Sequence, residues 1–245
     1  MKFVFLSAIF MVLINPLSGF AQKEFVKDTI KTSAGNLEIT FIGHGSLMFT
    51  FEGKVIHVDP YGSLADYSQL PKADMIFVTH SHRDHLDPKA LEQVRTEKSI
   101  IVIPASCADA VAGATIMRNG DIKDLEGLKV EAIPAYNLVH MRSPGVPYHP
   151  KGEGNGYVMT FGNKRVYVAG DTENTPEMKA LKDIDVAFLP MNLPYTMTPE
   201  MVADAVKAFK PKILYPYHYG ETDTSLLLDL LKDTNKTEVI IRPMK

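Results

Sequence analysis

Thr79-His80-Ser81-His82-Arg83-Asp84-His85 decides how this chain is read: four side chains able to bind a metal ion fall within six positions, directly after the apolar run 75–78. Imidazole and carboxylate are the donors that zinc, iron and manganese accept, and a tight turn after a strand lets side chains two and three apart converge on neighbouring ions. Three of the chain's eight histidines lie in this one turn beside an aspartate. A metal centre explains that concentration better than a polar surface turn does.

Outward from the turn, the pattern is that of a mixed fold. Upstream, a polar stretch over 22–36 gives way to strict alternation at Leu37, Ile39 and Phe41, then at Leu47, Phe49 and Phe51. Period-two alternation marks half-buried strands. Glu52-Gly53 predicts a hairpin turn into a third strand over 54–58 that stops at Asp59-Pro60, where proline cannot continue a ladder. Downstream, Pro88 opens a helix running to about residue 98. Further strands are expected over 100–103, 130–133, 157–161, 165–169, 186–189, 213–215 and 239–241, with helices over 176–182, 199–209 and 224–231. Met201, Val202, Ala205, Val206 and Phe209 carry the clearest helical spacing. Two groups of strands, each followed by helices, predict an α/β fold in which two sheets pack face to face with helices outside, a four-layered αββα sandwich. The stretch 142–156, rich in proline and glycine, predicts a long functional loop or lid.

Composition narrows the function. The 245 residues are 45% hydrophobic and 22% charged with a net charge of −3, which suits a globular domain and supplies no basic surface for nucleic acid. The only cysteine is Cys107, which excludes an internal disulfide and has no charged neighbour to make it a nucleophile. Lys2, the apolar run 3–14 and Gly19-Phe20-Ala21 form a signal peptide with cleavage expected after Ala21, leaving one domain over 22–245, exported to the periplasm or secreted. The run is too short to cross a bilayer comfortably, so no stable membrane insertion is expected.

The histidine turn matches the H-x-H-x-D-H signature, and the chain resembles the metallo-β-lactamase superfamily. It is similar in particular to the branch that contains ascorbate-6-phosphate lactonase and the phospholipase D acting on N-acyl phosphatidylethanolamine. The likeness rests also on Gly43-His44-Gly45-Ser46, Val58-Asp59-Pro60, Ala169-Gly170-Asp171-Thr172 and Pro216-Tyr217-His218-Tyr219-Gly220. It implies two divalent ions, zinc by preference and manganese or iron otherwise. His80 and His82 would hold the first, Asp84, His85 and His218 the second, and Asp171 would bridge both. Asp171 and His218 both follow expected strands, at positions where a sandwich can point them into a common mouth. The resemblance also puts Asp59 in support of the ligands and His44 near the substrate.

One departure stands out. Many members have a third histidine for the first ion in a Pro-Ala-x-His context, and here the stretch reads Pro134-Ala135-Tyr136-Asn137. A neutral amide oxygen is a weak donor to zinc, so the first ion is held loosely, is a harder metal, or takes another histidine, His140 or His149. The chemistry expected is metal-activated water attacking a small ester, lactone or phosphodiester, with Asp84 as the proton carrier. Two other readings fit the same residues: a non-catalytic metal-binding protein that has lost its first site, and a di-iron redox protein.

Overall fold

Glu52 and Gly53 both adopt positive φ, 49° and 78°, the geometry of the two-residue turn that matches strand twist, and the alternation on either side becomes a meander. The structure, a computed structural model, describes residues 24–245; the signal peptide expected over 1–21 lies outside the described residues. The first sheet runs β1 (Val26–Thr32), β2 (Gly35–Gly43), β3 (Ser46–Phe51), β4 (Lys54–Val58), β5 (Met75–Phe77), β6 (Ile100–Pro104) and β7 (Thr115–Met117) in chain order. The second sheet takes β8 (Ile122–Leu125), β9 (Leu128–Ala135), β12 (Gly154–Phe161), β13 (Lys164–Val168), β14 (Val186–Pro190), β15 (Ile213–Tyr217) and β16 (Glu238–Val239) side by side in that order. Between β9 and β12 a separate small hairpin pairs β10 (Met141–Ser143) with β11 (Val146–Pro147). Each large sheet is antiparallel through its first four strands and parallel through the rest.

Alternation along β5 assigns the layers. Met75 and Phe77 join the core between the sheets, while Ile76 and Val78 face outward beneath α1 (Pro88–Val94), against Leu91 and Val94. On the far side α2 (Pro176–Lys179), α3 (Pro199–Phe209) and α4 (Thr224–Leu231) cover the second sheet, with Val202, Val206, Phe209, Leu227 and Leu231 buried in its cluster. β14 is buried at every position, as a parallel strand covered on both faces must be. The result is the αββα sandwich expected, with one core between the sheets and one beneath α1.

Helix ends follow local chemistry. Thr198 accepts from the Met201 N–H and Pro199 takes the first helical position of α3. The helix begun at Pro88 stops at Val94 and not near residue 98, because Arg95 is extended and the Thr96 N–H turns to the Ser99 hydroxyl, 2.7 Å away. The polar stretch over 22–36, to which no element was assigned from sequence, holds β1, an edge strand whose exposed polar residues keep it from pairing with a second sheet edge. Asp28 on β1 accepts from the Tyr215 hydroxyl at 2.7 Å and pairs with Arg242 at 2.8 Å, which ties that edge to the second sheet. β7 and β8, three and four residues long, are too short to show a period.

His57 on β4 is fully buried against Tyr67; its Nε2–H donates to the Pro71 carbonyl at 3.0 Å and its Nδ1 has no partner among the described residues. Burial pushes its pKa down to about 4, against a smaller upward pull from the Pro71 carbonyl. The unfolded chain therefore takes up a proton near pH 6.5 that the folded chain refuses until about pH 4, and stability falls across that window by about 3 kcal/mol. His57→Gln, neutral at every pH, should lose less stability than the parent between pH 6.5 and 4 in denaturant titrations; an identical pH dependence would contradict the assignment.

Candidate metal centre

One carboxylate organises the start of the site. Asp59, at the end of β4 and fully buried, accepts the Thr79 N–H at 2.8 Å, the Thr79 hydroxyl at 2.7 Å and the His85 Nδ1–H at 2.7 Å. With its own proton committed to Asp59, the Thr79 hydroxyl can only accept from the His80 Nδ1–H, 3.0 Å away. In their neutral form both imidazoles thus keep their proton on the protein side and turn a bare Nε2 toward the donor groups. The chain after Thr79 is wound tight by the His85 and Leu86 N–H groups, which donate to the His82 carbonyl at 3.0 and 2.8 Å.

Two groups of donors result, each with ligand atoms within 4.8 Å of one another. His80, His82, His149 and Asp171 form one; His44, Asp84, His85 and His218 form the other. Asp171 touches both: its Oδ2 lies 3.3 Å from His149 Nε2, 3.9 Å from His80 Nε2 and 3.6 Å from His218 Nε2, and its Oδ1 lies 3.5 Å from His85 Nε2. Asp84 Oδ2 stands 2.9, 3.7 and 3.8 Å from the Nε2 atoms of His44, His218 and His85. Two donors on one tetrahedral zinc, each about 2.0–2.1 Å from it, are about 3.4 Å apart, so most of these spacings suit a shared cation.

The same atoms are those a cation would satisfy. Among the described residues, His80 Nε2, His85 Nε2, His218 Nε2 and Asp171 Oδ1 are buried without a hydrogen-bond partner, a costly state for polar atoms. Burial lowers the pKa of His80 well below its ordinary value and lowers that of His82, which keeps both rings neutral. Burial opposes the charge on Asp171, but the imidazoles of His218 and His85 and the contact with His149 outweigh it and hold the carboxyl well below the usual range. At His85 burial is outweighed by the carboxylates of Asp171, Asp59 and Asp84, which raise the pKa to about 9, so a cation taking that ring would displace its proton.

Backbone geometry at the site is strained. His44, Asp59 and His218 all have φ near +50°, at 51°, 46° and 46°, where a side chain costs about 1–2 kcal/mol relative to the ordinary helical region. The His218 N–H donates to the His44 carbonyl at 3.0 Å, which locks two of these turns together and brings the rings to 3.7 Å between centroids. Gly170, at φ +66°, makes the turn into Asp171; a Cβ there would lie 2.9 Å from Thr79 Cβ.

All six residues expected as ligands, His80, His82, Asp84, His85, Asp171 and His218, fall within these two groups, and His82, Asp84, Asp171 and His218 also line one mouth. Asn137 does not: its Oδ1 accepts from the His149 N–H and Nδ1–H, both at 2.8 Å, and His149 reaches the first group in its place. Of the two histidines open to that role, His140 turns away to Glu173, 2.7 Å from its Nδ1. His44 stands among the donors of the second group, a place that its sequence context, a Gly-flanked turn, did not specify. The mouth is a cavity of about 610 Å³ also lined by Arg83, Arg142, Tyr148, Asn192 and Tyr195. The stretch expected as a lid contributes Arg142, Tyr148 and His149 to that lining.

Fold and donor set together define a metallohydrolase of the two-sheet sandwich type. Residues 38–218 match the family described as the beta-lactamase superfamily domain, and the chain belongs to that superfamily. A UPF0173 metal-dependent hydrolase from Pelotomaculum thermopropionicum is 30% identical over 194 residues, covering 75% of this chain and 85% of the relative. A solved protein from Parabacteroides distasonis is 48% identical with a TM-score of 0.86, covering 91% of this chain and all of that one. Igni18, a metallo hydrolase from Ignicoccus hospitalis, shares the fold at 23% identity and a TM-score of 0.70, over 85% of this chain and 96% of its own. The protein is a metal-dependent hydrolase.

Gly45 offers a direct check on the second group. A Cβ there would lie 2.7 Å from His85 Cε1 and 3.0 Å from its Nδ1, so Gly45→Ala must displace the ring from Asp59. We expect about 10–100-fold weaker metal binding, measured by zinc titration against a chelating dye, with unchanged affinity arguing against His85 as a ligand.

Proposed function

We propose that the protein binds two divalent cations, zinc by preference, and hydrolyses a small anionic ester, lactone or phosphodiester. The observation that carries this reading is the convergence of the partnerless Nε2 atoms of His80, His85 and His218 on Asp171. His80, His82 and His149 would hold the first ion, His85, His218, Asp84 and His44 the second, with Asp171 between them. Cations held there supply Lewis acidity, making water acidic enough to serve as a nucleophile near neutral pH and drawing charge from a carbonyl or phosphoryl oxygen.

The chain's own groups do the rest. The imidazoles of His218 and His44, the latter hydrogen-bonded at 2.9 Å, outweigh the effect of burial on Asp84 and keep its carboxyl ionised. At 37% side-chain exposure it is more open than His44, His80, His85, His149, Asp171 or His218, so its Oδ atoms can take the proton released by the attacking water and return it to the leaving group. Asp59 holds the His85 ring still through Nδ1. Arg83 and Arg142 line the mouth, and no carboxylate is found paired with either among the described residues. Two uncompensated guanidinium groups suit a phosphate or carboxylate on the substrate. Exposed Met141, Val146, Leu193 and Tyr195 near these residues in the chain suit an apolar portion of it. The same reading takes the enzyme as exported after cleavage at Ala21, which N-terminal sequencing of the mature protein checks.

Metal analysis of the purified protein should find two equivalents per chain, and Asp171→Asn should cost at least about a hundredfold in turnover of a phosphodiester or lactone. Turnover surviving that change under metal-replete conditions would sink the hydrolytic reading. Arg142→Ala should raise KM about tenfold for substrates bearing a phosphate or carboxylate and leave kcat nearly unchanged. Equal effects on neutral esters would remove the anion preference.

A further inference from the structure

Glu173, two residues beyond Asp171, is fully buried, and nothing in the hydrolytic reading uses it. Its Oε2 accepts the N–H groups of Leu138 and Val139, each at 2.7 Å. Its Oε1 accepts the His140 N–H and Nδ1–H, each at 2.7 Å, and the Asn137 Nδ2–H at 3.1 Å. A carboxylate offers about four lone-pair directions, so five donors saturate it. Three of them are consecutive backbone N–H groups, the concave arrangement that holds an anion. The two segments are joined again by the Glu173 N–H donating to the Tyr136 carbonyl at 3.0 Å and by the Tyr136 N–H donating to the Thr172 hydroxyl at 3.0 Å.

The consequence falls on Asn137. Both hydrogens of its amide are committed, one to Glu173 and the other to the Tyr195 carbonyl at 2.8 Å, and neither acceptor can donate in return. The amide therefore cannot flip, and Oδ1 must face His149. There it accepts from the His149 N–H and Nδ1–H, which places the ring proton on Nδ1 and leaves Nε2 bare, 3.3 Å from Asp171 Oδ2 and 3.2 Å from His82 Nδ1.

We propose that Glu173 is the positioning residue for the first ion, acting through Asn137 to fix the orientation and tautomer of His149. The anion–amide–imidazole chain compensates for the histidine absent at position 137: the amide that cannot serve well as a zinc ligand aims a ligand from twelve residues further on. The inference rests on the reading of His149 as a ligand.

The test titrates the mature chain with Zn²⁺ against a chelating dye and records the ¹⁵N signals of the histidine rings in the zinc-loaded protein. Glu173→Gln should weaken one of two Zn²⁺ equivalents about tenfold or more, leave the other near its parent affinity, and take His149 out of its single Nδ1–H form. Asn137→Ala should do the same, and the double variant should be no worse than Asn137→Ala, because both act through one imidazole. His140→Ala removes a different Glu173 contact and should keep both ions. Parent affinity with an unchanged His149 signal in Glu173→Gln overturns the relay, and so does equal weakening of both ions. Should Glu173→Gln fail to fold, Asn137→Ala decides: two ions at parent affinity overturn the proposal. His149→Ala separates the two levels. Retention of both ions there refutes the ligand reading itself, whereas loss there without loss in Glu173→Gln refutes the relay alone.

Discussion

The buried carboxylate of Asp59 is the constraint from which the site is built. One charge, removed from water at the end of β4, is tolerable only because three donors meet it, and two of those belong to Thr79, at the start of the histidine turn. By consuming the Thr79 hydroxyl proton, Asp59 dictates the tautomer of His80 without touching it; by accepting from His85 directly, it dictates that of a ring assigned to the other group. A single anion thus presets donors on both sides of Asp171, and the tight turn over 82–86 has only to deliver the remaining side chains.

The second half of the site obeys the same logic with different chemistry. Glu173 stands to His149 as Asp59 stands to His80: a buried carboxylate acting through a neutral intermediary, an amide in one case and a hydroxyl in the other. Both intermediaries have their protons committed on one side, which leaves an acceptor for the ring. Orientation in this centre is therefore set by hydrogen-bond donors running out, a more restrictive condition than shape, because an imidazole in the right place with the wrong tautomer presents a proton where a lone pair is needed.

Much of this was legible in the sequence, and what was hidden was hidden for identifiable reasons. Leu37, Ile39 and Phe41 announce β2 because one face of the strand meets the core; β1 announces nothing because, at an edge, its residues answer to solvent and to pairing rather than to burial. Helix α3 is read to the residue, since proline, a capping threonine and a helical apolar stripe coincide at Thr198 and Pro199. The helix from Pro88 is overrun because its end is set by the Ser99 hydroxyl, a contact that leaves no periodic trace. At the site, the turn at His80 is plain from spacing. Glu173 is invisible, since five donors from 137–140 converge on it across more than thirty residues of chain. Asn137 could be seen to depart from the resemblance, and the nearby His140 and His149 could be named as substitutes, but only the commitment of the Asn137 amide decides between them.

Each sheet repeats the same plan, an antiparallel meander passing into parallel strands, and neither completes a donor group by itself. His80 and His82 come from the chain of the first sheet and meet His149 and Asp171 from the second; His44, Asp84 and His85 meet His218 in the same way. Cations bound there would stitch one half of the sandwich to the other, so that chemistry and cohesion share a seam. An enzyme made in this way cannot keep a folded but half-assembled catalyst in either half alone, and a chelator that strips it would also slacken the rim on which its substrate must land.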